Sequence, residues 1–139
     1  MKADFLDALD RHWLDAELLH GNERWANADH LYGFAAESGL KGLMLEFGMP
    51  IDETKDIPSN EKDRKHADAI WARYESYRSG HHKGADYLLP EPNPFDNWRA
   101  SDRYASQSQF DQVHVTPHRR GAELVRELVK KANLEGLLT

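Results

Sequence analysis

Apolar residues recur at helical spacing along most of this chain, and the pattern predicts long helices. The first is expected from about Asp4 to His20, where one face is apolar and the opposite face is mainly acidic. The second is expected from about Glu23 to Phe47 and is apolar nearly all the way round, which is typical of a helix at the centre of a fold. After a polar loop from Ile51 to Ser59, a third helix is expected from about Asn60 to Tyr77, with Gly80 as its stop.

The last helix has a start signal of its own. Thr116 is a favoured N-cap residue and Pro117 suits the first helical position, so this helix is expected to begin there. Upstream, the segment at about 80–97 holds three prolines at alternate positions and is predicted to be an extended loop. A weak alternation from Gln109 to Val115 has no partner strand. The chain is therefore predicted to be all-α, a single domain over residues 1–139 built as a four- to five-helix up-and-down bundle.

The second predicted helix carries small residues at spacings of seven, four and three. These residues are Ala28, Ala35, Gly39 and Gly42. Such a stripe lets another helix approach closely, although each glycine costs roughly 1 kcal/mol relative to alanine inside a helix. We therefore expect this helix to be the most buried element, with Gly39 and Gly42 at a close helix crossing.

Composition excludes several kinds of chemistry. The chain has no cysteine, which excludes disulfides, thiol nucleophiles and thiolate metal sites. Its formal net charge of −6 opposes non-specific binding to nucleic-acid phosphates, although it leaves room for a local basic patch. No apolar run reaches the ~20 residues that span a bilayer, and the first ten residues lack the apolar core of a signal peptide. We therefore expect a cytoplasmic protein that does not enter a membrane.

The first two helices also carry a recognisable pattern of residues. Asp15-Ala16-Glu17-Leu18-Leu19 lies in the first helix, and Trp25 follows a short polar loop. The second helix continues with Ala35-Ala36-Glu37 and Leu40-Lys41 before a glycine at its end. Together these features, from Trp13 to Gly48, resemble the HEPN superfamily of small four- to five-helix domains. The resemblance covers about a quarter of the chain and consists of helix pattern rather than a catalytic signature.

The resemblance implies a helical bundle that commonly forms a homodimer. Many HEPN proteins act on RNA, often in toxin–antitoxin or phage-defence systems, and others bind nucleotides or partner a nucleotidyltransferase. Because a fold does not fix a function, two hypotheses follow from the likeness. The first is an RNA- or nucleotide-associated binding or regulatory module, for which no cofactor is expected. The alternative is a metal-independent ribonuclease that uses an arginine and a histidine.

Ribonucleases of this superfamily carry an arginine, one further residue, four to six arbitrary residues and then a histidine. The histidine moves the proton of a ribose 2′-hydroxyl, while the arginine holds the scissile phosphate. Two pairs in this chain fit the spacing, Arg73 with His81 and Arg24 with His30, which is about what chance gives in this composition. On a straight helix Arg24 and His30 would lie on different faces. His81 follows a glycine and can fold back, so Arg73 and His81 are the predicted catalytic pair.

The stretch RYESYRSGHH, which runs from Arg73 to His82, is the main candidate site. The residues expected to line a cleft there are Arg73, Arg78, His81 and His82. This cleft would hold a phosphate-bearing ligand, whether or not the ligand is cut. Tyr74 and Tyr77 should turn inward, because they continue the apolar spacing of the third helix. The alternative is a solvated, frayed helix end.

Other candidate residues lie outside that stretch. Asp29, His30 and Glu37 of the second helix are predicted to reach a polar cleft and contribute to ligand binding, and a structural polar network is the alternative. Glu37 also precedes Lys41 by four residues, the favourable order for a salt bridge within a helix. His114 and His118 have the spacing of a metal-binding pair. Because the last helix is predicted to start between them, they need not share a face, and no metal site is predicted.

Aromatic and arginine side chains mix in the segment before the last helix. The aromatic residues are Trp98, Tyr104 and Phe110, and the arginines are Arg99 and Arg103. Such a mixture is found on surfaces that stack nucleic-acid bases. Packing of the long loop against the bundle is the favoured explanation, and a surplus of aromatic surface there supports the predicted homodimer.

Overall fold

The computed structural model describes residues 1–138 and contains four α-helices. Their bounds are α1 Phe5–Gly21, α2 Trp25–Glu46, α3 Ala67–Arg78 and α4 Gln112–Leu134. Two short strands, β1 (Ile51–Asp52) and β2 (Ile57–Pro58), pair antiparallel between α2 and α3, with Ile51 opposite Pro58. Short 3₁₀ turns span Glu61–Asp63, Gly84–Tyr87, Ala100–Tyr104 and Gln107–Gln109. The predicted all-α helical bundle is therefore confirmed.

No helix within residues 1–138 combines the length and the apolar character that crossing a membrane requires.

Helix α2 lies at the centre of the bundle and packs against each of the other three helices. Thirteen of its 22 residues are buried, against six of the 23 in α4, so the prediction that it is the most buried element is confirmed. The apolar side chains of Leu40, Leu43 and Met44 are fully enclosed. A helix that is apolar all round can bury all of its faces only when other elements surround it.

The small residues of α2 lie at close helix crossings, as predicted. A Cβ atom added at Gly39 would lie 2.5 Å from Cγ1 of Val125 in α4. One added at Gly42 would lie 2.6 Å from Cδ2 of Leu6 in α1. Both separations are far shorter than a van der Waals contact between carbon atoms, so the two glycines allow α1 and α4 to approach α2 closely.

The start of α4 differs from the prediction. Asp111, rather than Thr116, is the N-cap residue, and its Oδ1 accepts a hydrogen bond of 2.8 Å from the backbone N–H of His114. Pro117 therefore lies inside the helix, where it removes one intrahelical hydrogen bond. Thr116 Oγ1 instead donates to the carbonyl of Gln112 at 2.7 Å. The earlier start places His114 and His118 one turn apart on the same helix, so the prediction that they need not share a face was wrong.

The start of α3 also differs, because the segment predicted as one helix is divided. Asn60 caps the 3₁₀ turn Glu61–Asp63, with its Oδ1 accepting from the N–H of Lys62 at 2.9 Å. The α-helix itself begins only at Ala67. The turn carries Asp63, whose side chain is completely buried against α3 and so needs a cationic partner there.

The long segment between α3 and α4 folds back across α2. Trp98 anchors it: the indole N–H donates to the carbonyl of Asp29 at 3.0 Å, and the ring is 1% exposed. This approach depends on Gly33, where an added Cβ would lie 2.0 Å from the Trp98 ring. Packing of the loop, the favoured explanation for Trp98, is therefore confirmed for that residue, whereas Tyr104 of the same segment is 79% exposed.

Candidate functional site

The structure separates the predicted site residues into two regions. Arg73 lies in the middle of α3, Arg78 is its last residue, and His81 and His82 follow it. Asp29, His30 and Glu37 lie along α2, next to side chains from α1, α4 and the long loop. The side chains have different partners in the two regions.

Arg73 forms a compact network with two neighbours. Its Nε donates to Oδ1 of Asp63 at 2.6 Å, and one terminal nitrogen donates to the hydroxyl of Tyr77 at 3.3 Å. Tyr77 in turn donates to the other oxygen of Asp63 at 2.5 Å. The hydrogen bond that Arg73 donates to Asp63 raises the pKa of Arg73 above its usual value. Arg73 therefore neutralises a buried carboxylate, which is a structural role that spacing alone did not indicate.

Arg78 is also held inside the fold. It is 8% exposed, its Nε donates to Glu75 at 2.8 Å, and one terminal nitrogen donates to the carbonyl of Gly84 at 3.0 Å. A Cβ at Gly84 would lie 1.8 Å from the carbonyl oxygen of Arg78, so the chain returns against the helix end at that glycine. This arginine secures the loop after α3 and has its charge paired with Glu75.

The two histidines after α3 lie on each other and on the bundle. The His81 and His82 rings stack with centroids 4.4 Å apart, and His81 also contacts the ring of Phe47 at 5.0 Å. Within residues 1–138, no hydrogen bond or ion pair joins Arg73 to His81. Tyr74 is fully buried, as predicted, and donates to the carbonyl of Tyr87 at 2.6 Å. The catalytic pairing of Arg73 with His81 stays a prediction.

A second region gathers three histidines around one ring. We call it the histidine patch and define it as His12, His30, Phe34, Glu37 and His66. The imidazole centroids lie 5.8, 4.6 and 5.8 Å from the Phe34 ring for His12, His30 and His66, respectively. These histidines come from α1, from α2 and from the residue before α3. The patch therefore exists only in the folded protein.

Glu37 orients one histidine of the patch. Its Oε1 lies 2.8 Å from Nδ1 of His66, and its Oε2 accepts from Nζ of Lys41 at 3.0 Å. The predicted salt bridge between Glu37 and Lys41 is thus confirmed. A carboxylate beside Nδ1 favours the tautomer with hydrogen on that nitrogen, which leaves Nε2 as the basic atom. No protein atom of residues 1–138 forms a hydrogen bond with His66 Nε2, and about half of the side chain is exposed.

Burial controls the charge of the other two histidines in the patch. It is the largest cause that lowers the pKa of His12, with Arg11 adding to the effect and Asp15 opposing it. Burial likewise lowers the pKa of His30, and the positive charge of Arg103 contributes in the same direction. Both imidazoles are therefore neutral at pH 7 and available as hydrogen-bond donors and acceptors.

The patch continues toward the 3₁₀ turn Ala100–Tyr104. The His30 ring is stacked near Trp98, with centroids 6.0 Å apart and an interplanar angle of 20°. Beyond it, a polar cavity of about 130 Å³ is lined partly by Arg24, Asn27 and Arg103. The Arg103 guanidinium lies 4.6 Å from the ring centre of Tyr104, which is 79% exposed. This arrangement combines positive charge with an exposed aromatic ring.

Asp29 does not reach the solvent-facing patch, although it neighbours His30 in sequence. It is 1% exposed, and its Oδ1 lies 2.5 Å from Nδ1 of the fully buried His118. Its Oδ2 lies 3.7 Å from Nε2 of His114, while Nε2 of His118 lies 2.8 Å from Oδ1 of Asn97. We call these four residues the aspartate pocket. The metal-pair spacing of His114 and His118 is apparent in the sequence. Because α4 was predicted to start between them, the sequence did not indicate that they lie on one side of the same helix.

No protein-family model, curated protein or solved structure matches this chain. The HEPN resemblance of the first two helices therefore stays a prediction. What the fold and the candidate sites define is a small helical bundle with a partly exposed histidine patch and a buried aspartate pocket.

Proposed function

We propose that this protein binds RNA or a nucleotide through the histidine patch, as a HEPN-like binding or regulatory module. The observation that carries the proposal is the convergence of three imidazoles, from separate elements, on one partly exposed phenylalanine. Such a surface offers an aromatic ring to a base and polar nitrogen atoms to a phosphate or a sugar. The HEPN resemblance adds a prokaryotic toxin–antitoxin or defence system as the proposed setting.

The neighbouring 3₁₀ turn supports the same proposal. Tyr104 exposes most of its ring, and Arg103 lies against that ring rather than in a salt bridge. An exposed tyrosine can stack a second base, and an arginine beside it can contact the adjoining phosphate. The path from Phe34 past His30 to Tyr104 therefore suits a short single strand better than it suits a compact molecule. Base pairing would prevent this stacking, so a duplex is expected to bind more weakly.

Protonation of the patch should couple to binding. The charged groups that act on His12 are Arg11, Asp15 and Glu37, and their contributions to its pKa are smaller than that of burial. A bound phosphate favours the imidazolium form of His12, so ligand binding takes up a proton. Affinity is therefore expected to rise as the pH falls from about 8 to about 6, the range in which histidine titrates.

The binding proposal can be tested by fluorescence anisotropy with a labelled single-stranded RNA of mixed sequence, in the presence of EDTA. Base stacking is worth about 1–3 kcal/mol per base, so Phe34→Leu should weaken binding at least about fivefold. His66→Ala removes an exposed polar side chain of the patch and should also weaken binding. His82→Ala is the matched control, because it removes an equally accessible histidine from the other region and should leave affinity unchanged.

Two results would redirect or end the proposal. If wild-type protein binds neither RNA nor a labelled nucleotide at high micromolar concentration, the histidine patch is a structural feature. If His82→Ala weakens binding and His66→Ala does not, the ligand occupies the RYESYRSGHH stretch instead. Circular dichroism of each variant distinguishes a lost contact from a lost fold.

One observation favours a second candidate, a metal-independent ribonuclease. Glu37 holds Nδ1 of His66, the arrangement in which a carboxylate orients a histidine that acts as a general base. His12 lies near the same Phe34 ring as His66 and can serve as the acid when it carries a proton. This candidate differs from the predicted pair, because Arg73 is bound to Asp63.

The proposed reaction is transfer of a phosphoryl group within the RNA chain. His66 Nε2 takes the proton of a ribose 2′-hydroxyl, and the 2′-oxygen forms a bond to phosphorus. The bond from phosphorus to the 5′-oxygen breaks, and protonated His12 gives its proton to that leaving oxygen. The products are a 2′,3′-cyclic phosphate and a 5′-hydroxyl end. Because burial lowers the pKa of His12, the rate should be greater below pH 7 than above it.

Gel analysis of end-labelled RNA in EDTA tests cleavage separately from binding. His66→Ala should abolish cleavage, and Glu37→Gln should reduce it while keeping a side chain that still reaches His66. Cleavage by the wild type that falls much further than RNA affinity in His66→Ala or Glu37→Gln supports the ribonuclease. Binding by the wild type without any cleavage supports the module and removes the second candidate.

A further inference from the structure

The aspartate pocket brings three ligating atoms together at one point inside the protein. One carboxylate oxygen of Asp29 and one ring nitrogen each from His114 and His118 lie within 4.8 Å of one another. The two histidines project from the same side of α4, and Asp29 faces them from α2. Two histidines one helical turn apart with a third ligand from a facing helix are a recurrent metal-binding arrangement in helical bundles.

His114 Nε2 is a buried atom without a hydrogen-bond partner in residues 1–138. It lies 3.7 Å from Oδ2 of Asp29, too far for a hydrogen bond but suitable for a shared ligand between the two atoms. A buried polar nitrogen left unpaired is destabilising, so the pocket is incomplete with protein atoms alone. A cation placed between Asp29 and His114 would satisfy both.

Asn97 fixes the orientation of His118 within the pocket. The oxygen of Asn97 lies 2.8 Å from Nε2 of His118 and favours hydrogen on that nitrogen. Nδ1 is then the nitrogen that faces the Asp29 carboxylate, 2.5 Å away, and it can share a proton with that carboxylate or give it up to ligate a metal ion. A carbonyl oxygen that fixes the tautomer of a ligating histidine is a common partner in the outer shell of metal sites.

We propose that Asp29, His114 and His118 bind one divalent transition-metal ion, with Zn²⁺ as the best match. Imidazole nitrogen and carboxylate oxygen are ligands that Zn²⁺ accepts at about 2.0–2.2 Å, whereas Mg²⁺ and Ca²⁺ prefer oxygen ligands alone. Three protein ligands leave a fourth position for water or another small molecule. This proposal does not depend on the proposed function of the histidine patch.

Small movements would convert the pocket into a metal site. Ligands of a tetrahedral ion at this distance lie about 3.3 Å apart, so the proton between Asp29 and His118 leaves to solvent and the two side chains separate slightly. The Phe95 ring lies parallel to His118 at 5.5 Å, and Phe110 contacts the edge of His114 at 5.3 Å. These rings form an apolar wall around the ligands. The His114 side chain is 30% exposed and provides the route to solvent.

The experiment uses the full chain without an affinity tag, stripped of metal with EDTA and then dialysed. Co²⁺ is titrated as a spectroscopic probe, because its visible absorption reports coordination number, and Zn²⁺ is titrated by calorimetry. We expect one equivalent to bind, with the intense absorption of four-coordinate Co²⁺, and Zn²⁺ to raise the melting temperature. Asn97→Ala should weaken metal binding by about 10–100-fold, because Asn97 orients a ligand without being one.

The decisive comparison is His114→Ala against His82→Ala. His114 is partly exposed, so its replacement leaves the core intact, and it should lower metal affinity at least as much as Asn97→Ala does. His82→Ala should bind metal like the wild type. Absence of one-equivalent binding in the wild type, or unchanged binding in His114→Ala, would overturn the proposal. Loss of binding in His82→Ala alone would place the ion at the stacked His81–His82 pair and overturn it equally.

Discussion

Glu17 of α1 and Arg119 of α4 form a bidentate salt bridge although they are 102 positions apart in the sequence. The two hydrogen bonds measure 2.8 and 3.0 Å, and the buried Tyr32 of α2 donates to the same carboxylate at 3.1 Å. The hydrogen bond from Arg119 is the main cause that lowers the pKa of Glu17. One carboxylate therefore joins the first, central and last helices.

Replacement of Glu17 by glutamine should lower the free energy of unfolding by about 1 kcal/mol at pH 7. The estimate is modest because both charged side chains are partly exposed and screened by solvent. The pKa of Glu17 is lower in the folded protein, so its stabilising contribution is present at neutral pH and is lost as the pH falls below about 4. Urea denaturation at pH 7 and pH 3 should show the difference between wild type and variant at pH 7 only.

Glu127→Gln is the control for this substitution. Glu127 pairs with Lys130 at 3.2 Å, but both side chains are more than half exposed. It should have no measurable effect, because exposed ion pairs contribute little. An equal loss of stability in both variants would show that net charge, rather than the three-helix connection, is responsible.

Gly39→Leu should lower the free energy of unfolding by roughly 1–3 kcal/mol or more through overpacking. The added side chain would collide with Val125 of α4 and would also crowd Leu9 of α1. Gly21→Leu offers a matched control, since a Cβ at Gly21 meets no atom within 4 Å. Thermal denaturation of the two variants compares the same change at a helix crossing and at an open helix end. Equal melting temperatures would contradict the close crossing.

Stability should decrease as the pH falls from about 7 to about 5, and His12 should account for part of this decrease. Burial lowers the pKa of His12 in the folded protein. In this pH range the unfolded chain therefore binds more protons than the folded one, which favours unfolding. In His12→Gln the free energy of unfolding should depend less steeply on pH. A slope identical to that of the wild type would show that His12 titrates normally in the folded state.

Arg73→Ala should destabilise the protein by about 3 kcal/mol, because it leaves the buried Asp63 carboxylate without its cation. Arg99→Ala is a suitable control, since Arg99 is largely exposed and lies 3.4 Å from its carboxylate partner Asp68. Denaturant unfolding must therefore precede any activity assay of Arg73→Ala. If that variant is as stable as the wild type and also loses RNA cleavage, the predicted catalytic role of Arg73 gains support over the structural one.

The predicted homodimer can be checked by light scattering coupled to gel filtration. A dimer would have twice the chain mass of 16.0 kDa. Trp98 is buried within a single chain and needs no partner to cover it. The prediction of a homodimer therefore rests mainly on the HEPN resemblance. A mass of 16.0 kDa at high protein concentration would contradict the prediction.

The helices could be predicted because each must bury a continuous apolar stripe, and the sequence repeats that stripe at helical spacing. Their ends were harder to predict. Asp111 and Thr116 are both good N-cap residues, and Pro117 favours a start at Thr116, because proline suits the first helical position and costs a hydrogen bond inside a helix. The structure uses Asp111, which brings His114 and His118 into register with Asp29. That choice depends on contacts between distant helices, which local capping signals do not show.

The candidate site was only partly predictable for a similar reason. Asp29, His30 and Glu37 were selected from one helix, where spacing indicates which residues are neighbours. His12 and His66 complete the patch from other elements, and no spacing links them to Phe34. The prominence of RYESYRSGHH came from its composition. Composition does not reveal that the Arg73 guanidinium is hydrogen-bonded to Asp63, ten residues earlier in the chain.

The contact between Gly33 and Trp98 has a consequence for evolution. Trp98 donates to the backbone of Asp29 and stacks near His30, so both the aspartate pocket and the histidine patch are built on its position. That position is available only because residue 33 has no side chain. We expect homologues to change the two positions together, with a larger residue at 33 accompanied by a smaller one at 98. Lineages that lose this pair should lose the present arrangement of both sites.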